Sequence, residues 1–389
     1  MFYILMALRA ILREQGWFTS KNIKEPNLAE LLDLVALGTV ADVVPLDHNN
    51  RILVAQGLSR IRAGKCCAGI KALLQVANRS FHSITAQDLS FTIGPRLNAA
   101  GRLTDMSLGI ECLLCDNEHD ARQLAAQLDK LNKERREIQE EMQIQALDDL
   151  ESMDLGADQQ LPAGLCLFNE DWHQGVIGIL ASKIKDKVNR PVIAFAKDKD
   201  GFIKGSARSV NGVHVRDVLD RIASHHPGII DKFGGHAMAA GLTMQESDFE
   251  QFKKLFDQVV SEHISADSLD GTLMTDGELS AGELDFGLAE EIISAGPWGQ
   301  GFPEPVFDGE FELVDSRIVG KKHLKLQLRI KEQDGIIDAI AFNTTHDEWP
   351  AETEHVQTVY KLDINEYAGR RQLQLVIDYI APLEVPLGN

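Results

Sequence analysis

Five short strings in this chain gather side chains that could hold or transform a phosphate. Gly94-Pro-Arg96-Leu-Asn98-Ala-Ala-Gly101-Arg102 packs two guanidiniums and an amide into a segment punctuated by glycine and proline. Arginine's planar fork suits bidentate phosphate recognition better than lysine does, although ordinary surface ion pairs would use the same residues. Gly205-Ser206-Ala-Arg208-Ser209 puts Ser206 and Arg208 two residues apart, hence on one face of a strand. Asp171-Trp-His173-Gln-Gly175-Val-Ile-Gly178 lies between a predicted strand and a predicted helix. There, glycines admit a ligand to the backbone and a helix N-terminus offers free N–H groups to an anion. A tight turn is the plainer reading.

Gly234-Gly235-His236-Ala-Met-Ala-Ala-Gly241 is the most distinctive string. Its small residues permit close backbone approach, and His236 could donate to phosphate, ligate a metal or act as an acid. In Gly38-Thr-Val-Ala-Asp42 a carboxylate ends an apolar run, either capping a helix or standing at a site mouth. Near the C-terminus, Arg317, Lys321, Lys322, Lys325 and Arg329 form a basic cluster, joined later by Arg370 and Arg371. These would line a groove for a single strand, or merely guard strand edges.

The elements that must position these residues follow from periodicity. An amphipathic helix is expected over 1–17, a buried strand or helix over 31–40, and helices over 51–63 and 69–77. From His119 to about Met153 there is no Gly or Pro. Leucines and other apolar residues recur there at three-, four- and seven-residue steps, which predicts one helix roughly 50 Å long. A linker at 156–162 follows. Strand 164–168, helix 175–188 and strand 191–196 then predict a parallel βαβ unit. A further strand at 201–209, helices near 213–224 and 246–264, and a turn-rich 234–241 complete an α/β domain. Five short strands within 307–377 fit a small OB-like barrel.

Composition agrees with several folded domains. The 389 residues are 44% hydrophobic and 25% charged, which excludes disorder and collagen-like repeats. Five cysteines without framework spacing argue for reduced thiols and a cytoplasmic protein. Cys112 and Cys115 read as small buried hydrophobes rather than metal ligands. No stretch reads as a signal peptide or membrane span. The net charge of −20 taken as a whole disfavours nucleic acid. However, residues 246–310 hold 16 acidic against 2 basic residues, so most of the acidity lies in one block.

Taken together, the strings GTVADVVPL, GPRLNAAGR, DWHQGVIGILASKI, KFGGHAMAAG and GPWGQGFPEPVFDG resemble the RecJ-type single-strand-specific 5′→3′ exonucleases of the DHH phosphoesterase superfamily. The resemblance implies an α/β fold with five parts. These are the C-terminal part of a DHH domain (1–118), a long connecting helix (119–155), a DHH-associated α/β domain (156–265), an acidic connector (266–306) and an OB-like barrel (307–389). It makes Asp42 a ligand to a catalytic Mn²⁺ or Mg²⁺, with two ions activating water and stabilising charge on the attacked phosphodiester. It assigns Arg96, Asn98, Arg102, His173, Ser206, Arg208, Gly234, Gly235 and His236 to the DNA and its 5′ phosphate. Lys321, Lys322, Lys325, Arg370 and Arg371 would add weaker DNA contacts.

The implied partner is single-stranded DNA with a 5′ end, with a single-strand-binding protein or helicase as protein partners and no membrane. The family's Asp-His-His motif would precede residue 1. The chain is therefore expected to be the C-terminal portion of such an enzyme and to lack hydrolysis by itself, since one aspartate cannot hold two divalent ions. Two alternatives stand beside this reading. One is a non-catalytic module that binds single-stranded DNA, and the other is a DHH phosphoesterase acting on short oligonucleotides or cyclic dinucleotides.

Overall fold

The computed structural model describes residues 1–152, 161–263, 272–320, 323–330, 335–342, 344, 353–367 and 370–383. Most of the expected linker at 156–162 lies outside these residues. The chain forms two compact units, Met1–Cys66 with Arg79–Thr92 and Leu273–Asn389, and Cys67–Asn78 with Ile93–Thr272.

The first unit opens with α1 (Phe2–Glu14), which buries none of its residues. Tyr3, Ile4, Leu8 and Ile11 are all about half exposed. Segment 31–40, readable as strand or helix, is helical: α2 (Leu32–Ala41) buries Leu32, Ala36, Leu37 and Val40. This four-residue recurrence is a helix face. It packs on α3 (His48–Arg62), whose start is capped by Asp47 accepting the Asn50 N–H at 2.8 Å. The two helices approach closely because position 57 is glycine. A Cβ there would lie 2.2 Å from the Leu32 carbonyl oxygen.

The second unit begins with α4 (Ala68–Val76), α5 (Gly94–Leu103), α6 (Ser107–Leu114) and the 35-residue α7 (Glu118–Ser152). At 1.5 Å per residue α7 is about 52 Å long. Its early turns bury Ala121, Ala125 and Leu128; its late turns bury Met142, Ala146 and Leu150. Next come β1 (Leu165–Asn169), α8 (Ile177–Val188), β2 (Val192–Lys197) and β3 (Phe202–Arg208). They are followed by α9 (Val215–His225), β4 (Lys232–Gly235), β5 (Ala239–Gln245) and α10 (Phe249–Ser261).

The sheet order is β1-β2-β3-β5-β4. The βαβ expectation holds at β1–β2, which pair in parallel; the remaining pairs are antiparallel. Segment 234–241, expected to be turn-rich, is mostly a β4–β5 hairpin with a short turn at 236–238. Glycine and alanine carry no alternating hydrophobicity, so strand periodicity was invisible there. One side of the sheet packs Phe195, Phe252, Phe256, Leu219 and Ile222. Another cluster joins Leu180 and Ile184 of α8 to Trp172, Met142 and Ala146.

The chain then returns to the first unit with α11 (Phe286–Ala295) and a barrel of β6 (Phe307–Val319), β7 (His323–Ile330), β8 (Ile336–Phe342), β9 (His355–Tyr367) and β10 (Arg370–Pro382). It closes in the order β10-β8-β7-β6-β9, with β10 and β8 parallel and β9 paired to both β10 and β6. All five expected strands are present, the last two longer than their hydrophobic runs. Leu324, Leu326 and Leu328 alternate inward to meet Phe307, Phe311 and Tyr360. Among the described residues no helix is long and apolar enough to cross a membrane.

Candidate functional site

The strand β3 delivers Ser206 and Arg208 to one face. Arg208 Nη1 donates to Ser206 Oγ at 3.1 Å and to the Ala207 carbonyl at 2.8 Å. Facing them is the first turn of α8, where a Cβ on Gly178 would stand 2.9 Å from both Arg208 Nη2 and Ser206 Oγ. Glycine at 178 therefore lets a guanidinium and a hydroxyl settle against the start of a helix, a place where backbone partial charge favours an anion.

The loop before α8 brings in a second guanidinium. Arg102, at the end of α5, donates from Nη1 to the Gly175 carbonyl oxygen at 3.1 Å. His173 Nδ1 accepts the Gly175 N–H at 3.0 Å, an arrangement that leaves the other ring nitrogen to carry the proton. Asn98 is exposed one turn before Arg102, on the same side of α5.

The Gly-Gly-His hairpin borders the same strand end. Ser209 N–H donates to the Met238 carbonyl at 3.0 Å, which fixes the hairpin turn beside the residue after Arg208. Gly235 has φ +150°, and a Cβ there would lie 2.4 Å from the Ala239 carbonyl oxygen. Glycine is thus required by the backbone. Gly234 differs, since a Cβ on it would meet nothing. His236 is exposed, and its Nδ1 accepts the Met238 N–H at 3.4 Å. An open groove of about 390 Å³ continues from Ser206 past Gln174, Lys204, Gly241, Thr243 and Lys232.

The electrostatics of the cluster are one-sided. Arg102 is accessible to solvent as a residue, yet desolvation lowers its pKa. Arg208 is lowered by desolvation and then by the charge of Arg102. Arg135 of α7 is lowered by desolvation, by Arg136 and by Arg102. Among the described residues no carboxylate pairs with Arg102, Arg135 or Arg208. Arg135 escaped the sequence reading. Its only signal was the paired arginine at 135–136 within an otherwise acidic helix.

Arg96 stands in a different environment. Its Nε and Nη2 both approach Asp129 Oδ1 at 2.9 Å, in a pair whose side chains are only 12% and 10% exposed. Lys133 adds a 2.8 Å contact to the same carboxylate. Desolvation alone would raise Asp129, but Lys133 and Arg96 outweigh it and hold its pKa low. Arg96 therefore ties α5 to α7.

Asp42 belongs to the first unit, exposed at the C-terminus of α2. Among the described residues no group of three or more His, Cys, Asp or Glu could hold a metal ion. A lone carboxylate does not fit a two-ion site, whose ions each need several ligands. On the barrel, Lys325 pairs with Asp338 at 2.8 Å. Arg371 pairs with Glu290 at 3.0 Å and lies 5.0 Å from the Phe286 ring centre. Arg370 is exposed at the start of β10, whereas Lys321 and Lys322 lie outside the described residues. The structure thus gathers Arg102, His173, Ser206, Arg208 and the Gly234–His236 turn in the second unit, while Asp42 and the barrel cations belong to the first.

Comparison with known proteins follows this division. Residues 162–262 match the DHHA1 domain and residues 275–379 match the RecJ OB domain. The single-stranded-DNA-specific exonuclease RecJ of Dickeya dadantii is 55% identical over 383 residues, covering 98% of this chain and 66% of that protein. The protein of the same name from Haemophilus influenzae is 52% identical, with 98% and 67% covered. A crystal structure of RecJ in complex with Mg²⁺ from Thermus thermophilus superposes with a TM-score of 0.76 at 28% identity, over 95% of this chain and 54% of that one. The chain thus spans about two thirds of the length of the curated relatives it matches.

Proposed function

Because the chain belongs to the RecJ family, we propose that it serves a single-stranded-DNA-specific 5′→3′ exonuclease, where it grips the 5′ end of the strand. The carrying observation is the pair Arg102 and Arg208 beside Ser206, crowded against the start of α8 with no carboxylate among the described residues to neutralise them. Such a cluster costs free energy until an anion enters, and a phosphate supplies acceptors matched to guanidinium forks. His173, Asn98 and the Gly234–His236 turn border this pocket, and the groove past Lys204 and Lys232 gives the following nucleotides a path. The metal-dependent cleavage of DNA in repair and recombination belongs to this reading as the family's reaction. Asp42 alone does not hold the ions, so no hydrolytic step is assigned to the residues described.

Binding tests the reading directly. The chain should bind a 5′-phosphorylated deoxythymidine oligonucleotide with strong salt dependence, without releasing nucleotides when Mn²⁺ is added. Arg208→Ala should weaken binding, and it should reduce the slope of log affinity against log salt by about 0.7, the share of one single-strand phosphate contact. No detectable binding at low salt, or an unchanged affinity in Arg208→Ala, would overturn the assignment. Nucleotide release by the chain alone would overturn the separation of grip from cleavage.

A further inference from the structure

The helix α7 passes the phosphate cluster between two fixed points. On one side Asp129 holds Arg96 of α5. On the other, Gln145 accepts the Trp172 indole N–H at 2.8 Å, and Met142 shares a buried cluster with Trp172, Val176 and Ile177. Leu103, next to Arg102, and Ile138, one turn after Arg135, both pack against that same cluster. Arg135 thus lies on the stretch of α7 that packs toward the α5 end, close enough to Arg102 for the two charges to act on each other.

Its immediate partners are all neutral. Nη2 donates to Asn132 Oδ1 at 2.9 Å and Nη1 to Gln139 Oε1 at 3.2 Å, both one turn away on α7. Nε is buried with no partner among the described residues. Asn132 itself is 1% exposed, so the amide is an orienting group held within the protein. Two amides fix the direction of a guanidinium without cancelling its charge, and buried charges are ordinarily paired.

We infer that Arg135 is a third cationic contact to the terminal phosphate, reaching it from the connecting helix and favouring a doubly charged monoester over a singly charged diester. This rests on the reading of Arg102, Ser206 and Arg208 as a phosphate pocket, and it adds a residue and a specificity. Three uncompensated guanidiniums repel one another, and the charge of the entering group decides how much of that repulsion is removed. A terminal monoester carries −1.5 to −2 near neutral pH, whereas an internal phosphodiester carries −1. The preference would direct the pocket to strand ends instead of internal phosphates.

The experiment compares three oligodeoxythymidylates on the full chain by fluorescence anisotropy, ending in 5′-phosphate, 5′-methylphosphate or 5′-hydroxyl. The wild type should bind the phosphate end more tightly than the methylphosphate end. Arg135→Gln and Arg135→Met, the second keeping the aliphatic stem, should each shrink that gap by about tenfold, as for a lost bond to a charged group. Affinity for the 5′-hydroxyl strand should change by no more than about twofold. Arg136→Gln removes an equal charge from an exposed neighbour, and it should weaken all three strands alike. An unchanged gap in both Arg135 variants, with the gap lost in Arg208→Ala, overturns the role of Arg135 and leaves the pocket standing. Absence of any end preference in the wild type overturns the monoester specificity. Failure of Arg208→Ala to weaken any of the three strands overturns the pocket as well.

Discussion

Arg102 and Gly175 meet through one side-chain hydrogen bond and one close backbone approach. The Arg102 guanidinium donates to the Gly175 carbonyl, and the Arg102 carbonyl oxygen lies where a side chain on residue 175 would begin, 2.2 Å from its Cβ position. The end of α5 and the loop before α8 are thus fitted at a spacing only glycine allows. Gly175→Ala should destabilise the chain by about 1–3 kcal/mol, the usual range for forcing atoms into a packed site. Its urea midpoint should fall, with oligonucleotide affinity falling too as Arg102 is displaced. A midpoint equal to wild type would show that the contact is slack.

The crowding of Arg102, Arg135 and Arg208 predicts that stability rises with a bound anion. Each of the three guanidiniums is lowered in pKa by desolvation, two of them further by neighbouring positive charge. An anion that binds only the folded state must raise the melting temperature. Inorganic pyrophosphate should do so in a saturable way, and chloride at equal ionic strength should not. Arg208→Ala should lose most of the increment. An equal increment in that variant would place the anion elsewhere.

The Arg96–Asp129 pair sets an acid limit. Because Lys133 and Arg96 hold Asp129 below its ordinary value, its contribution is fully present above the unfolded pKa, about 3.9. It is lost as pH falls through the folded value. Stability measured by urea from pH 6 to pH 3 should therefore drop most steeply below about pH 4. Asp129→Asn should lower stability at pH 6 and flatten that acid limb. Truncation to Asp129→Ala takes the carboxylate away from a guanidinium whose side chain is only 12% exposed and should cost about 3 kcal/mol. An acid limb of undiminished steepness in Asp129→Asn would assign it to other carboxylates.

A cation–π stack holds the first turn of α3 to the segment leading into the barrel. The Arg51 guanidinium carbon lies 3.6 Å from the Phe302 ring centre, and Phe302 stacks on Trp298 at 4.9 Å and 10°. Leu46 N–H donates to the Gln300 carbonyl at 2.6 Å nearby. A double-mutant cycle of Arg51→Met and Phe302→Leu should return a coupling of about 1 kcal/mol. Additive losses would show that the ring and the charge act independently.

The barrel was legible because its middle strands, β7 and β8, alternate clearly. Leu324, Leu326 and Leu328 announce an inward face, and glycine or charged residues separate the apolar runs in sequence. The α7 helix was legible because nothing in it breaks a helix. The arginine cluster was readable only in pieces. Ser206 and Arg208 share a strand face by simple spacing, but their meeting with Arg102 and the start of α8 depends on tertiary packing at Gly175 and Gly178. Arg96 shows the limit most directly. Its string suggested a phosphate contact, and its partner lies 33 residues away on α7 as Asp129, a pairing no local pattern announces. Arg135 was hidden for a related reason, because a helical arginine normally faces solvent.

The strand β10 is hydrogen-bonded on both flanks, to β9 and to β8, and it follows the other four barrel strands along the chain. Until it docks, the other four strands form an open ribbon ordered β8-β7-β6-β9, with two bare rims of unpaired peptide groups. Such rims recruit other chains. A nascent or C-terminally clipped product ending before Arg370 would therefore be an aggregation hazard, and arrival of the final strand would abolish both rims at once.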